Sequence, residues 1–405
     1  MNICLVTPYY VHPGLPPSGI ATHFYELANS LSELGHQVHV VFPTNSTVEN
    51  FPPKQESSIF LHPISITVPT WLQNSLPGKG NQKALLKKIW RVFHIPSFLN
   101  QLVQKYDIDI VETSSYDFLC VAYLLRKNRP PVLTRVATTV QQIDSQNPSL
   151  NSPIFKIFSF LEQLMIRCSD RLLTHTFAHR DEICNAFKIN PDQFHVIPHG
   201  IQIPQNIEIE KPDHLPEKMN VLYVGRLEYR KGIDVLLEAI PPILNVMDNI
   251  NFTIVGKDVK NAYQNQFQQK WNHQFDHRVT FAGTLDAEQL KQMYRECDLF
   301  VAPSRYESFG LIYVEAAIYG KPVIGCKAGG IPEVIEEGVT GLLAAPGDSQ
   351  DLAEKILQLA RNSELRYHMG KKGRQRAEAF FSREQMAKRT VETYYHYLHS
   401  YKRLT

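Results

Sequence analysis

The sequence lacks most of the features that would decide a function at once. Its six cysteines, Cys4, Cys120, Cys168, Cys184, Cys297 and Cys326, form no C-x-x-C pair. That excludes the common cysteine metal and redox motifs and predicts reduced, mostly buried thiols of a cytosolic chain. No apolar run approaches the ~18 residues of a membrane span; Phe118–Leu125 is only eight long. The first Lys or Arg is Lys54, so the N-terminus has no charged lead of a secretory signal. An excess of one charge is also missing, because 42 Lys plus Arg stand against 40 Asp plus Glu, a net +2. This excludes a generally basic nucleic-acid binder, and no nucleic-acid partner is expected. Glycine is scarce and uneven, with 20 in 405 residues, six of them up to residue 200 and fourteen beyond it.

What is present is alternation. Ile3–Val6 is a short apolar run suited to a buried parallel strand. A Pro/Gly loop follows, and then Ile20, Phe24, Leu27, Ala28, Leu31 and Leu34 recur at helical spacing before Gly35, a C′ glycine. Val38–Val41 is the next strand, completing a βαβ unit. Further strands are expected at 108–111, 132–136, 171–174, 221–224, 252–255, 279–281, 299–302 and 322–325. Helices are expected at 154–168, 234–247 (broken by Pro241-Pro242), 287–297, 308–319 and from 382 on. Residues 201–219, with three prolines, read as a linker. The expectation is α/β, with two doubly wound Rossmann-like domains, 1–200 and 220–381, facing a central cleft. In open parallel sheets ligands bind beyond the C-terminal strand ends, so the loops there matter most.

Three such loops carry chemistry. Gly225-Arg226-Leu227-Glu228-Tyr229-Arg230-Lys231-Gly232 follows a strand, and Arg226 and Lys231 are placed either to clamp a diphosphate or to sit as solvated charges. Ser304–Gly310 leads into a helix whose free N–H groups form an anion site. Glu307 and Glu315 would stand roughly 12 Å apart if both lay on that helix. Glu307 is then a helix-dipole partner or a ligand contact. Glu315 lies in an apolar stretch where a carboxylate needs a partner. Gly329-Gly330 ends a third strand as an ordinary turn or a close backbone approach. Asp107-x-Asp109 leads into a strand and reads as structural.

The order G-R-L-x(4)-K-G, E-x(7)-E, A-G-G-I-P-E resembles the retaining glycosyltransferases of family 4, enzymes of the GT-B fold. The resemblance extends to Gly19–Ala28 (G-I-x-x-H-x-x-E-L-A) and Gly35–Val40. It implies a first domain binding the acceptor, a second binding a nucleoside-diphosphate sugar, UDP-sugar first, and a last helix, 382–405, crossing back. It implies catalytic roles for Glu307, Arg226 and Lys231. Donor contacts would come from Gly19, Arg226, Lys231, Gly256, Glu307, Ser308, Phe309, Gly310, Leu311, Glu315 and Gly330. Lys231 and Arg226 would hold the diphosphate, Glu315 the ribose and Glu307 the sugar, with no metal or other cofactor required. The acceptor would be a glycan, a lipid-linked sugar or a small molecule. An epimerase or a non-catalytic sugar-nucleotide binder is the other reading.

One position departs from the pattern. Many family members carry a His after the strand at 132–136, where it usually touches the donor sugar; here it is Ala137. Glu112, Thr113, Tyr116 and His23 are candidates for the same cleft. A second local feature concerns the acceptor side. Residues 57–106 hold no acid but carry Lys79, Lys83, Lys87, Lys88, Arg91 and Lys105, with Trp71, Trp90, Phe93 and Phe98 among them. This basic stretch, 79–105, reads either as a solvated helix or as a peripheral contact for an anionic membrane.

Overall fold

A computed structural model describes residues 1–10, 19–44, 58–66, 69, 81–145, 153–205, 207, 209 and 218–401. The chain divides into two compact units, Met1–Gly200 with Arg383–Thr405, and Ile201–Ser382. The first unit holds strands β1 (Asn2–Val6), β2 (Gln37–Thr44), β3 (Ile59–Ser65), β4 (Ile110–Ser114), β5 (Val132–Arg135), β6 (Arg171–Thr174) and β7 (Phe194–Val196). They form one parallel sheet in the order β3-β2-β1-β4-β5-β6-β7.

Alternation along β1 shows why this sheet needs cover on both faces. Ile3 and Leu5 join a core with Phe24, Leu27 and Leu31 of the helix Gly19–Glu33 and Met386 and Tyr394 of the final helix, Arg383–Tyr401. Cys4 and Val6 point the other way, into a core with Val92, Ile95 and Leu99 of the helix Asn81–Tyr106. Period-two side chains that are apolar on both faces make a central parallel strand. The final helix is fixed at its start by Arg383, which pairs with Glu33 at 2.7 Å and Glu26 at 3.5 Å.

The second unit repeats the plan with β8 (Met219–Val224), β9 (Ile250–Val255), β10 (Val279–Gly283), β11 (Leu299–Val301), β12 (Val323–Cys326) and β13 (Gly341–Ala344). Their order is β10-β9-β8-β11-β12-β13, again parallel. The order reverses between β8 and β11, which puts a switch point at their C-terminal ends.

Several sequence expectations change. The helix at 233 is not broken by Pro241-Pro242; it runs Ile233–Leu244 through both. The two rings stand in its last turns, where Asn245 N–H still reaches the Pro241 carbonyl at 3.0 Å and Ile240, Ile243 and Leu244 are buried. The helix expected at 308–319 is only Leu311–Ala317. Strands β3 and β13 and the helices Phe177–Phe187, Ser349–Ala360 and Ser363–Phe380 were not anticipated. Of the linker expected at 201–219, Met219 already belongs to β8, Ile201 bridges Ser382, and residues 206, 208 and 210–217 lie outside the described residues. Asp109 accepts from Asn2 N–H at 2.8 Å, next to the β4 edge.

Eight histidines of the first unit, His23, His36, His39, His62, His175, His179, His195 and His199, are held below the ordinary imidazole value, each chiefly by burial. His39, His62 and His179 fall to about 4. A folded pKa below the unfolded one gives a contribution that is complete above about pH 6.5 and is lost as pH falls. Glu162, pushed up by burial to about 8, acts oppositely, losing its contribution as pH rises from about 4.5 toward 8. Acidification from pH 6.5 to 4.5 is therefore expected to loosen the first unit ahead of the second. Hydrogen exchange of the β1 amides, read against those of β8, checks this; β1 protection that rises on acidification would sink it.

Candidate active site

Of the residues expected at the site, Arg226 and Lys231 lie on the loop after β8 and Glu307–Gly310 on the loop after β11, the two strands of the switch point, while Gly256 follows β9, Gly330 follows β12 and Glu315 lies on the helix Leu311–Ala317. Behind β8, the loop turns through Gly232 (φ +67), where a Cβ would meet the Pro303 carbonyl oxygen at 1.8 Å. Glycine is required there both by backbone conformation and by space. The same closeness ties the β8 loop to the β11 loop, as Arg305 N–H donates to the Arg230 carbonyl at 2.8 Å. Arg305 forks onto Asp234 with two contacts of 2.7 Å and lies over the Tyr229 ring at 3.8 Å.

Glu307 is the centre of this arrangement. Its Oε1 accepts from Lys231 Nζ at 2.5 Å and from Ser304 Oγ at 3.0 Å, and its Oε2 faces Arg230 at 3.5 Å. Burial pushes the carboxyl up, but the charges of Lys231 and Arg230 and the two hydrogen bonds outweigh it. The net pKa lies below the usual glutamate value. The group is a buried, charged carboxylate. Arg230 also donates to the Tyr306 carbonyl at 3.0 Å and to Glu228 at 3.1 Å. Arg226, by contrast, is at the surface, 65% exposed, and shares Glu228 at 3.1 Å.

Glu307 stands in the loop before the helix, so it and Glu315 do not share one helical axis. Glu315, partly buried on Leu311–Ala317, accepts from Tyr294 Oη at 2.8 Å. Burial raises its pKa, opposed by that hydrogen bond and by Lys231. Gly310 caps the helix at φ +96. Ser308 is partly buried, Leu311 opens the helix, and Phe309 is buried edge-on to Phe381. Gly330 is buried and its N–H donates to the Glu307 carbonyl at 2.8 Å, while a Cβ on Gly329 would strike that oxygen at 2.3 Å. The glycine pair therefore closes backbone onto Glu307. Gly256 (φ +147) presses on the Gly225 carbonyl and lines a cavity of about 320 Å3 with Lys257, Asp258 and Asn261. Among the described residues, no group of three or more His, Cys, Asp or Glu is arranged to hold a metal ion.

In the first unit, Gly19 opens its helix, and a Cβ added to it would meet none of the described residues within 4 Å. Ala137 lines a small cavity of about 40 Å3 with Gly19, Ser114, His23, His175 and His199. His199 Nδ1 lies 2.8 Å from His23 Nδ1, and the His175 and His199 rings stack 3.4 Å apart. Burial and the charge of Arg135 keep all three imidazoles neutral. Among the described residues, His23 Nε2 is buried without a hydrogen-bond partner, and the cavity that His23 lines has room for a water or a hydroxyl. Glu112 and Thr113, expected in the cleft, lie inside β4 and are fully buried. Glu112 pairs with Arg135 at 2.7 Å and accepts from Tyr394 Oη at 2.5 Å. The strand runs three residues further than expected, with both faces covered, so these side chains meet neighbouring elements. Tyr116 packs on Tyr9 and Lys88. Sequence reasoning missed Arg230, whose only signal was its place beside Lys231, and missed His175 and His199, which stand just after β6 and β7.

Both halves have known counterparts. Residues 205–376 match the glycosyl transferases group 1 family and residues 17–203 match glycosyltransferase family 4. A sucrose-phosphate synthase from Thermosynechococcus elongatus superposes with a TM-score of 0.78 at 21% identity, covering 99% of this chain and 100% of that one. Anabaena Alr3699/HepE, solved in complex with UDP and glucose, gives 0.67 at 19% identity over 97% of this chain and 99% of that one. The fold is thus GT-B, two Rossmann-like α/β domains. The chain belongs to the family 4 glycosyltransferases. Among curated relatives, a glycogen synthase of Mycobacterium tuberculosis is 30% identical over 235 residues, 58% of this chain. The match spans only 56% of that relative's length. The N-acetyl-alpha-D-glucosaminyl L-malate synthase of Bacillus anthracis is 24% identical over 398 residues, 95% of each chain.

Removing Lys231 leaves Glu307 charged and short of a partner. Lys231→Met is expected to destabilise the second unit by about 3 kcal/mol, the cost of breaking a buried ion pair. The double variant Lys231→Met/Glu307→Gln should recover part of that loss. Urea unfolding of the four proteins of this cycle measures it; strictly additive losses would mean that the pair is not coupled.

Proposed function

We propose that this protein transfers a sugar from a nucleoside-diphosphate sugar, UDP-sugar first, to a glycan, lipid-linked or small-molecule acceptor with retention of configuration. The observation that carries this reading is the Lys231–Glu307–Arg230 cluster at the C-terminal ends of β8 and β11. Departure of a nucleoside diphosphate builds negative charge on the leaving oxygen. Cations fixed beforehand by a buried carboxylate stabilise that charge with little reorganisation. Lys231 and the exposed Arg226 hold the diphosphate, assisted by the backbone N–H groups of Ser308–Leu311. The cavity beside Gly256 takes the base, and Glu315 takes the ribose hydroxyls. Glu307 reaches the donor sugar with whatever acceptor capacity its three donors leave, and Gly330 serves by fixing Glu307. Gly19 meets the donor from the first domain, and the first domain binds the acceptor. No metal is required by this scheme.

Ala137 favours a second reading, that of a non-catalytic sugar-nucleotide binder, because the resemblance places a sugar-contacting His there. The neutral imidazoles of His23, His175 and His199 line the same cavity. An imidazole for a sugar hydroxyl is therefore still at hand, supplied from neighbouring elements, and this supports the enzyme. A panel of UDP-, GDP- and ADP-sugars, scored for nucleotide release with and without candidate acceptors, separates transfer from mere binding.

Arg226→Ala is the clean variant, since Arg226 is exposed and its loss spares the core. It is expected to weaken UDP binding by about tenfold, the loss of one charge-assisted contact. Unchanged affinity in calorimetry would remove Arg226 from the diphosphate site. Glu315→Gln should lower nucleotide affinity more than it alters the preference among UDP-sugars. The reverse pattern would exchange the roles given to the two glutamates.

A further inference from the structure

Four of the fourteen large apolar side chains that stand exposed among the described residues line one groove of the first unit. They are Phe93 (69% exposed), Leu125 (64%), Phe160 (64%) and Ile157 (42%). The groove measures about 560 Å3. Its floor is the short helix Val121–Leu124, and its walls are the helices Asn81–Tyr106 and Pro153–Cys168 that pack on it. An exposed apolar surface so concentrated marks an interface.

The charges around it choose the partner. There is no acid in residues 57–106 or 118–143. The one acid of the helix Pro153–Cys168, Glu162, is buried, accepting from Ser115 Oγ and Val140 N–H. Asp117 is buried against Lys88. The cations face water: Lys156 lines the groove and is exposed, Arg126 and Lys127 are exposed directly after Leu125, and Lys87 is exposed on the first wall. An apolar centre with a cationic border and no exposed acid in these segments is complementary to lipid acyl chains under anionic headgroups. A second copy of this chain would bring the same cations and be repelled. We propose that this groove docks the protein on an anionic lipid bilayer, with Phe93, Leu125, Ile157 and Phe160 entering the headgroup boundary and Lys156, Arg126 and Lys127 meeting lipid phosphates. The basic stretch read from the sequence supplies only part of this surface. Leu125, Ile157 and Phe160 come from elsewhere in the chain, and Lys79 and Trp71 lie outside the described residues.

The test is co-sedimentation of the full chain with phosphatidylcholine vesicles, with and without phosphatidylglycerol, at low and high salt. The protein should pellet only with phosphatidylglycerol and should be released by salt. Phe93→Ser/Phe160→Ser should weaken partitioning by about tenfold or more. Lys127→Glu/Lys156→Glu should weaken it by about 30-fold, the equivalent of about 1 kcal/mol per cation lost. All four positions are exposed, and unchanged unfolding midpoints confirm that the variants fold. Phe380→Ser, exposed in the other unit, should pellet like the original protein. Failure to pellet with phosphatidylglycerol at low salt, or pelleting that survives both double variants, overturns the proposal. A dimer in ultracentrifugation that Phe93→Ser/Phe160→Ser dissociates, without vesicle capture, assigns the face to a second copy instead. Vesicle capture is independent of the donor reading, so either can fail alone.

Discussion

Keeping a carboxylate charged inside the protein is the constraint on which the second unit's site depends. Little water reaches Glu307, and an ionised carboxylate so placed needs cations and donors in its place. Lys231, Arg230 and Ser304 supply them. To deliver two cations from the β8 loop to a residue of the β11 loop, the loops have to approach at backbone distance, which Gly232 against Pro303 and Gly329 against Glu307 permit. Arg305 on Asp234 then fastens the β11 loop to the helix that follows β8. The cations that satisfy the buried charge are thereby held at a strand-end switch point whether or not a ligand is present, which is the meaning of preorganisation.

The first unit treats its buried polar groups differently. Arg135 is neutralised by Glu112, and that pair is closed by the Tyr394 hydroxyl of the final helix. The imidazoles of His23, His175 and His199, beside this guanidinium, are held neutral by burial and by its charge. A neutral imidazole hydrogen-bonds a hydroxyl without demanding a counter-charge. One unit thus presents fixed positive charge at its strand ends and the other neutral polar atoms.

The architecture was legible because parallel strands buried on both faces leave short apolar runs, such as Ile3–Val6 and Val221–Val224, between helical periods. What the sequence hid has physical causes. In β13 the run Gly341–Ala344 opens on a glycine, and in β3 the run Ile59–Ser65 carries His62 and Pro63, so neither showed the apolar pattern. Pro241-Pro242 looked like a break because propensity is local, whereas the burial of Ile240, Ile243 and Leu244 is a tertiary gain that outweighs it. At the site, the loops after β8 and β11 were legible as loops with chemistry. The direction of each side chain was not. Arg226 and Arg230 are four residues apart with the same charge, yet one is at the surface and the other is buried against Glu307. Glu112 read as a ligand candidate because its strand appeared to stop at Val111, whereas β4 continues to Ser114.

The helix Asn81–Tyr106 joins these themes. It gives Val92, Ile95 and Leu99 to the core and Lys88 to Asp117, which accounts for the side that faces the sheet. None of those duties calls for Phe93 to be exposed, and an exposed phenylalanine gains nothing for folding. The nearly neutral total charge concealed the same asymmetry, since acids elsewhere balance an acid-free, cation-rich segment. Folding explains the buried side of this helix. Its outer side, apolar at Phe93 and cationic at Lys87, is the side that the proposed bilayer contact would use.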